Sequence, residues 1–153
     1  MTEIKYSVLM SVYYKEKPEY LRESINSMLN QTLIPDEIVL VKDGPLSEML
    51  ESVILEYNEN PIIKIVELKE NMGLGKALNI GLKNCRNDII ARMDSDDFSE
   101  KDRCEKQYNL IISEDVSVIG ASVAEFVDNI DNIVAHKDTI MNHNEIEIGR
   151  AHV

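Results

Sequence analysis

The sequence predicts a doubly wound α/β fold, a mostly parallel sheet with helices on both faces. Three observations predict it. Short β-rich apolar runs alternate with amphipathic stretches along most of the chain. Parallel neighbours need crossover connections, and this alternation supplies them. The run Asp88–Met93 is short and largely apolar, as a strand covered on both faces is. Turn-forming, glycine-rich and acidic segments also follow the runs directly, and open parallel sheets gather ligands at their carboxyl ends.

Tyr6–Val12 is the first strand, and Glu37–Val41 is the second. Between them Leu21, Ile25, Met28 and Leu29 recur at helical spacing. Pro18 suits the first turn of that helix, where its missing N–H has no partner to lose. Leu46, Met49, Leu50, Val53, Ile54 and Tyr57 mark a second helix before a strand at Ile62–Val66. Leu74, Ala77, Leu78, Leu82 and Cys85 mark a third helix before the strand Asp88–Met93. Ser99 is the expected cap of a fourth helix, with Asp102 three residues on and a stripe of Cys104, Tyr108, Ile111 and Ile112. Val116–Ile119 and Ser122–Val127 read as further strands. From about Asp138 the chain is polar and aperiodic. Residues 1–137 are therefore the expected domain, with 138–153 an irregular tail.

A chain of 153 residues suits a single domain with a real core, and its 44% apolar and 29% charged composition is ordinary for a globular protein. A formal net charge of -12 argues against nucleic acid as a partner and against attraction to anionic lipid. It does not argue against an anionic nucleotide, provided that a divalent cation stands between the two. Cys85 and Cys104 lack metal-ligand spacing and read as small buried hydrophobes of a reducing compartment. The N-terminus lacks a signal-peptide layout, and no apolar run approaches the roughly 18 residues that span a bilayer. A cytoplasmic protein with at most peripheral membrane association is expected.

The loops after the four strands carry the candidate chemistry: Ser11–Glu16, Lys42–Pro45, Glu70–Lys76 and Asp94–Asp97. The last is the sharpest. Three aspartates within four residues repel one another unless something positive neutralises them. Mg²⁺ or Mn²⁺ does so with one or two carboxylates, completing its shell with phosphate oxygens and water. Asp94 and Asp96, two apart at a strand end, can share one site. The alternative is that the run ends a strand and caps the next helix, whose N-terminus favours acids. A calcium loop of the EF-hand type is excluded, because Ser99 stands where the turn needs glycine. Gly73 and Gly75 precede a helix whose free N–H groups could meet an anion, or they merely permit a tight turn. Leu78 breaks the dinucleotide fingerprint, and Lys76 lacks the following Ser or Thr of a Walker loop. Asp43-Gly44 taken alone is a common turn pair. His136, His143 and His152 share no ligand spacing.

Taken together, these segments resemble the family-two inverting glycosyltransferases of the GT-A fold. The resemblance rests on Tyr6–Tyr13, Ser24–Thr32, Glu37–Gly44, Asn71–Gly81 and Ala91–Asp97, in order and at plausible separations. It covers roughly Tyr6 to His136. It implies transfer of a sugar, a hexose from UDP being the expectation, to a glycan or lipid-linked sugar acceptor with inversion. By position it places Val12, Tyr13 and Glu16 against base and ribose, and Asp43 as acceptor of a base N–H. Asn71, Gly73 and Lys76 would lie near the nucleotide. Asp94 and Ser95 would face the donor, with Asp96, helped by Asp94, holding Mn²⁺ or Mg²⁺ on the diphosphate.

Three departures stand out. Lys42 replaces a frequent acid, and Leu78 a frequent Arg, so that Lys76 would supply the positive charge. The general base is expected beyond Val153, and residues 138–153 would begin a missing acceptor-binding portion. Glu145 and Glu147 are too near the motif to be that base. A module that binds donor and metal without turnover is the competing reading. A phosphoacceptor signalling domain ranks lower, because the loop after the first strand offers only Glu16 where two acids are needed.

Overall fold

The computed structural model describes residues 5–114, 116–127 and 130–138. The chain divides into two compact units, Met1–Tyr108 and Asn109–Val153, where the sequence suggested one domain to residue 137. The first unit holds strands β1 (Ser7–Val12), β2 (Glu37–Lys42), β3 (Ile63–Glu67) and β4 (Ile90–Asp94). Helices α1 (Pro18–Leu29), α2 (Glu48–Leu55) and α3 (Leu74–Leu82) connect them, and α4 (Arg103–Glu114) begins after β4. The four strands form one wholly parallel sheet in the order β3-β2-β1-β4, as the alternation of strand and helix requires.

The pleat separates two cores. Val8, Met10 and Val12 of β1, with Ile38, Leu40 and Met93, face Leu21, Ile25 and Met28 of α1, Leu50, Val53 and Ile54 of α2, and Cys104. Leu9, Val39 and Val41 face the other way, onto Ala77 of α3. Helices therefore cover both faces, and the doubly wound expectation holds. Fully burying an aliphatic side chain of this size contributes roughly 1.5–3 kcal/mol, so the central strands carry much of the stability. Gly81 lets α3 lie close: a Cβ there would stand 2.5 Å from Leu9 Cδ1 and 2.6 Å from Val41 Cγ2.

Several local expectations are corrected. Met49, Leu74, Leu82 and Ile112 are exposed rather than part of the buried stripes, which narrow to Leu50–Val53–Ile54 in α2 and to Ala77 and Gly81 in α3. Ser47 caps α2 by accepting the Leu50 N–H at 3.3 Å. Ser99 does not cap α4. The helix starts at Arg103, and the Asp102 carbonyl accepts its first backbone bond from Lys106. Cys104 is buried, but Cys85 is only half-buried and follows α3. Burial raises the pKa of both thiols, in keeping with packing rather than reactivity.

In the second unit β5 (Val123–Phe126) pairs antiparallel with β6 (Ile133–Lys137), with a register irregularity at Glu125/Phe126. The sequence reading missed β6, because Ile133 and Val134 are adjacent, both exposed, and do not alternate. Val116–Ile119 is not a strand: Val118 is 86% exposed, and residues 116–121 join no ladder among the described residues. The expected tail beyond Asp138, with Glu145, Glu147, His143 and His152, lies outside the described residues. Among the described residues no helix is long and apolar enough to cross a membrane.

Candidate functional site

The parallel sheet brings the four loops to one edge, and hydrogen bonds stitch neighbours together in strand order. The Asp43 N–H donates to the Val12 carbonyl at 2.8 Å, tying the loops of β2 and β1. The Asp43 carboxylate accepts the Met72 N–H on Oδ1 at 2.7 Å and the Gly73 N–H on Oδ2 at 3.1 Å. Asn71 Nδ2 donates to the Asp43 carbonyl at 3.2 Å. Ser95 Oγ donates to Glu16 Oε2 at 2.5 Å, joining the loops of β4 and β1. The expected site residues Val12, Glu16, Asp43, Asn71, Gly73 and Ser95 are thus part of one connected edge.

Gly44 is what allows the β2 and β3 loops to interlock. Its φ is 86°, and an added Cβ would stand 2.5 Å from the Asn71 nitrogen. Both the left-handed backbone and the close approach call for glycine. Gly73, at φ 85°, is the residue from which α3 departs, and there only the backbone conformation demands glycine.

Three expectations about individual residues change. Val12 is wholly buried in the core beneath the edge, so its side chain has no surface to lie against a base; it anchors the loop instead. Gly75 lies inside the first turn of α3, and the Gly73 N–H is already taken by Asp43. Of the two, only Gly75 keeps a first-turn N–H without an intrahelical partner, the kind that can meet an anion. Lys42 is held by Glu51 at 2.7 Å and Glu67 at 2.7 Å. Burial works to lower its pKa, but the bonds to Glu51 and Glu67 prevail and raise it. Lys42 is a structural tie in this chain.

The acidic loop is built differently. Asp94 ends β4 opposite Ser11, and its Oδ1 accepts a bond from Arg92 Nη2 at 2.6 Å. Ser95 turns inward and is buried, while Asp96 and Asp97 are exposed. Asp96 accepts no hydrogen bond among the described residues. Desolvation, and then repulsion from Asp94 and Asp96, raises the pKa of Asp97. Among the described residues no three Asp, Glu, His or Cys side chains gather to hold a metal unaided. That donor set still fits a hard cation, because Mg²⁺ and Mn²⁺ take one or two carboxylates and share the rest of their shell with phosphate and water. Tyr13 and Lys76 are exposed, and the Tyr13 carbonyl accepts the Glu16 N–H at 3.1 Å. Tyr13 stacks edge-on against Tyr14, with centroids 5.8 Å apart.

One set of residues had no assigned role in the sequence reading. Ser24 Oγ donates to the Asp94 carbonyl at 2.7 Å, and Ser27 Oγ accepts the Ser99 N–H at 3.1 Å. Gln31 Nε2 donates to the Glu100 carbonyl at 2.8 Å, and its Oε1 accepts the Cys104 N–H at 3.0 Å. The signal was present as polar residues at helical spacing on a face that also carries Leu21 and Met28. A buried polar stripe must find partners, and these find the acidic loop.

Known proteins of similar sequence and structure identify the family. The sequence profile of Glycosyl transferase family 2 matches residues 7–151. The amylovoran biosynthesis glycosyltransferase AmsE of Erwinia amylovora is 48% identical over 122 residues, covering 79% of this chain and 46% of that one. An Escherichia coli UDP-Gal:alpha-D-GlcNAc-diphosphoundecaprenol beta-1,3-galactosyltransferase is 39% identical over 126 residues, covering 82% and 46%. The chain thus spans about half the length of the curated relatives it matches. Among solved structures, residues 1–349 of Staphylococcus aureus TarS in complex with UDP-GlcNAc superpose with a TM-score of 0.62 at 27% identity, covering 71% of this chain and 31% of that one. The mannosyltransferase PcManGT from Pyrobaculum calidifontis gives a TM-score of 0.63 over 82% of this chain and 36% of that one, and at 20% identity it speaks for the GT-A fold alone. The chain belongs to glycosyl transferase family 2.

Proposed function

We propose that this chain is the donor-binding portion of a cytoplasmic hexosyltransferase. It takes a nucleoside diphosphate sugar, UDP-hexose foremost, and serves transfer with inversion to a lipid-linked or polysaccharide acceptor. The observation that carries the reading is the single edge on which four loops meet, with Asp96 left open beside Asp94. The UDP-galactose and diphosphoundecaprenol in one relative's name, the polysaccharide in another's, and the UDP-GlcNAc bound by TarS support the donor and acceptor classes.

Tyr13 and Glu16 take base and ribose, with Val12 holding the strand beneath them. Two of the Asp43 carboxylate's roughly four lone-pair directions are used by the backbone, and a base N–H takes one of the others. Asn71, Gly73 and Lys76 border the nucleotide, and Lys76 brings the positive charge. Ser95 sets Glu16 in place. Asp94 and Asp96 would hold Mn²⁺ or Mg²⁺, which when bound stabilises the negative charge of the departing diphosphate. No residue of this chain is assigned as the general base. The net charge of -12 fits neither nucleic acid nor more than peripheral contact with anionic lipid.

Calorimetric titration with UDP, in Mn²⁺ and in its absence, tests the reading on wild type and on Asp96→Ala. Metal-dependent binding that Asp96→Ala abolishes is expected; binding indifferent to both would sink it. The same site would serve a module that holds donor and metal without turnover. Release of UDP from UDP-hexose, with or without acceptor, separates that reading from a transferase.

A further inference from the structure

The acidic loop carries the charges but no apolar anchor of its own. Met93 and Cys104 bracket it, each 3% exposed, and between them only Ser95 and Ser99 are buried. What fastens it is polar and comes mainly from α1 and the residues just beyond. Ser24 and Ser27, three apart, share one side of α1, and Gln31 follows just past its end. They are 0%, 5% and 4% exposed. Ser24 holds the Asp94 carbonyl at 2.7 Å, Ser27 the Ser99 N–H at 3.1 Å, and Gln31 the Glu100 carbonyl at 2.8 Å and the Cys104 N–H at 3.0 Å. The three are also linked to one another, Ser27 Oγ donating to the Ser24 carbonyl at 2.8 Å and Gln31 Nε2 to the Ser27 carbonyl at 3.0 Å.

We propose that Ser24, Ser27 and Gln31 form a latch that positions Asp94 and Asp96 for a divalent cation, resting on the reading of those two as its ligands. Three like charges in four residues push the loop apart, while a metal needs its oxygen donors placed to within about 0.2 Å. Hydrogen bonds in a buried, low-dielectric setting supply that placement, because a donor or acceptor left unmade there is expensive. The latch holds the backbone at both ends of the charged stretch and leaves the Asp96 side chain open. It touches neither donor nor acceptor and acts only through the loop.

The test titrates UDP into the full chain with and without Mn²⁺ and reads the affinity that the metal adds. Ser24→Ala removes one hydroxyl from the latch and Gln31→Met keeps the bulk of the side chain. Asn87→Ala serves as a control, because Asn87 bonds Ser7 Oγ at 3.0 Å and Asp36 Oδ2 at 3.1 Å at the other end of the strands. The expected result is a roughly tenfold loss of the metal-added affinity in both latch variants, the scale of an outer-shell deletion, with metal-free UDP affinity kept. The control should match wild type. Undiminished metal enhancement in Ser24→Ala, which should fold readily, overturns the latch. So does an equal fall of affinity with and without metal, or an equal loss in the control. A wild type that gains nothing from Mn²⁺ overturns the metal reading itself and is thereby distinct from failure of the latch alone.

Discussion

Two carboxylates at the same sheet edge have opposite surroundings. Asp43, at the tip of β2, is 3% exposed and accepts two backbone N–H bonds, at 2.7 and 3.1 Å. Asp96, past the tip of β4, is exposed and accepts none among the described residues. The first is an organiser, because two of its lone pairs shape the β3 loop. The second keeps its oxygens for something from outside. An acid at a strand end therefore declares its role by its hydrogen bonds, not by its position in a motif.

The largest effect should come from the open acid. Asp96→Ala is expected to cost more metal-dependent UDP affinity than the roughly 10–100-fold of an outer-shell deletion, while changing folding stability by no more than about 0.5 kcal/mol. Calorimetry and urea unfolding on one preparation check both halves. The organiser should fail in the other direction. Asp43→Ala leaves two part-buried N–H groups without their acceptor, and a loss of about 1–3 kcal/mol is expected in urea unfolding. An Asp43→Ala protein as stable as wild type would erase the distinction.

Other effects refine it. Gly44→Ala forces a Cβ to 2.5 Å from backbone nitrogen at a left-handed φ and should cost about 2–3 kcal/mol in urea unfolding. Gly81→Ala meets only the tips of Leu9 and Val41, so about 1–2 kcal/mol is expected, without loss of UDP affinity. The smallest is a pH effect. Asp36 has its pKa lowered, first by the bond from Arg86 and then by that from Asn87. A depressed carboxylate stabilises the fold above its unfolded pKa, near 3.9, and loses that contribution as pH falls through the folded value. Asp36→Asn should therefore flatten the acid limb of a melting-temperature profile below about pH 4 and leave neutral pH little changed. A limb as steep as in wild type would show that the pair contributes nothing.

Much of the fold was legible because its pattern is local. Leu21, Ile25 and Met28 announce a helix by spacing, and β2 announces itself by an unbroken apolar run covered on both faces. The second unit was less legible, since β5 and β6 are exposed and their pairing lies in register rather than in periodicity. At the site the residue types were readable, but the partners were not. No spacing rule says that Asp43 bonds residues 72 and 73, or that Gln31 reaches residues 100 and 104, because such bonds depend on which strands become neighbours. For the same reason Ser99 looked like a cap, when its N–H and hydroxyl belong to Ser27 and Gln31.

Arg92 stands two residues before Asp94 and holds it at 2.6 Å, with both side chains well exposed, 55% and 42%. An exposed pair of this kind is worth under about 1 kcal/mol. Such a pair offsets one of the three charges at the strand tip and is too weak to resist a divalent cation. On the proposed reading, cation uptake would be an exchange of partners, in which the Arg92 guanidinium is set free as the pyrophosphate arrives.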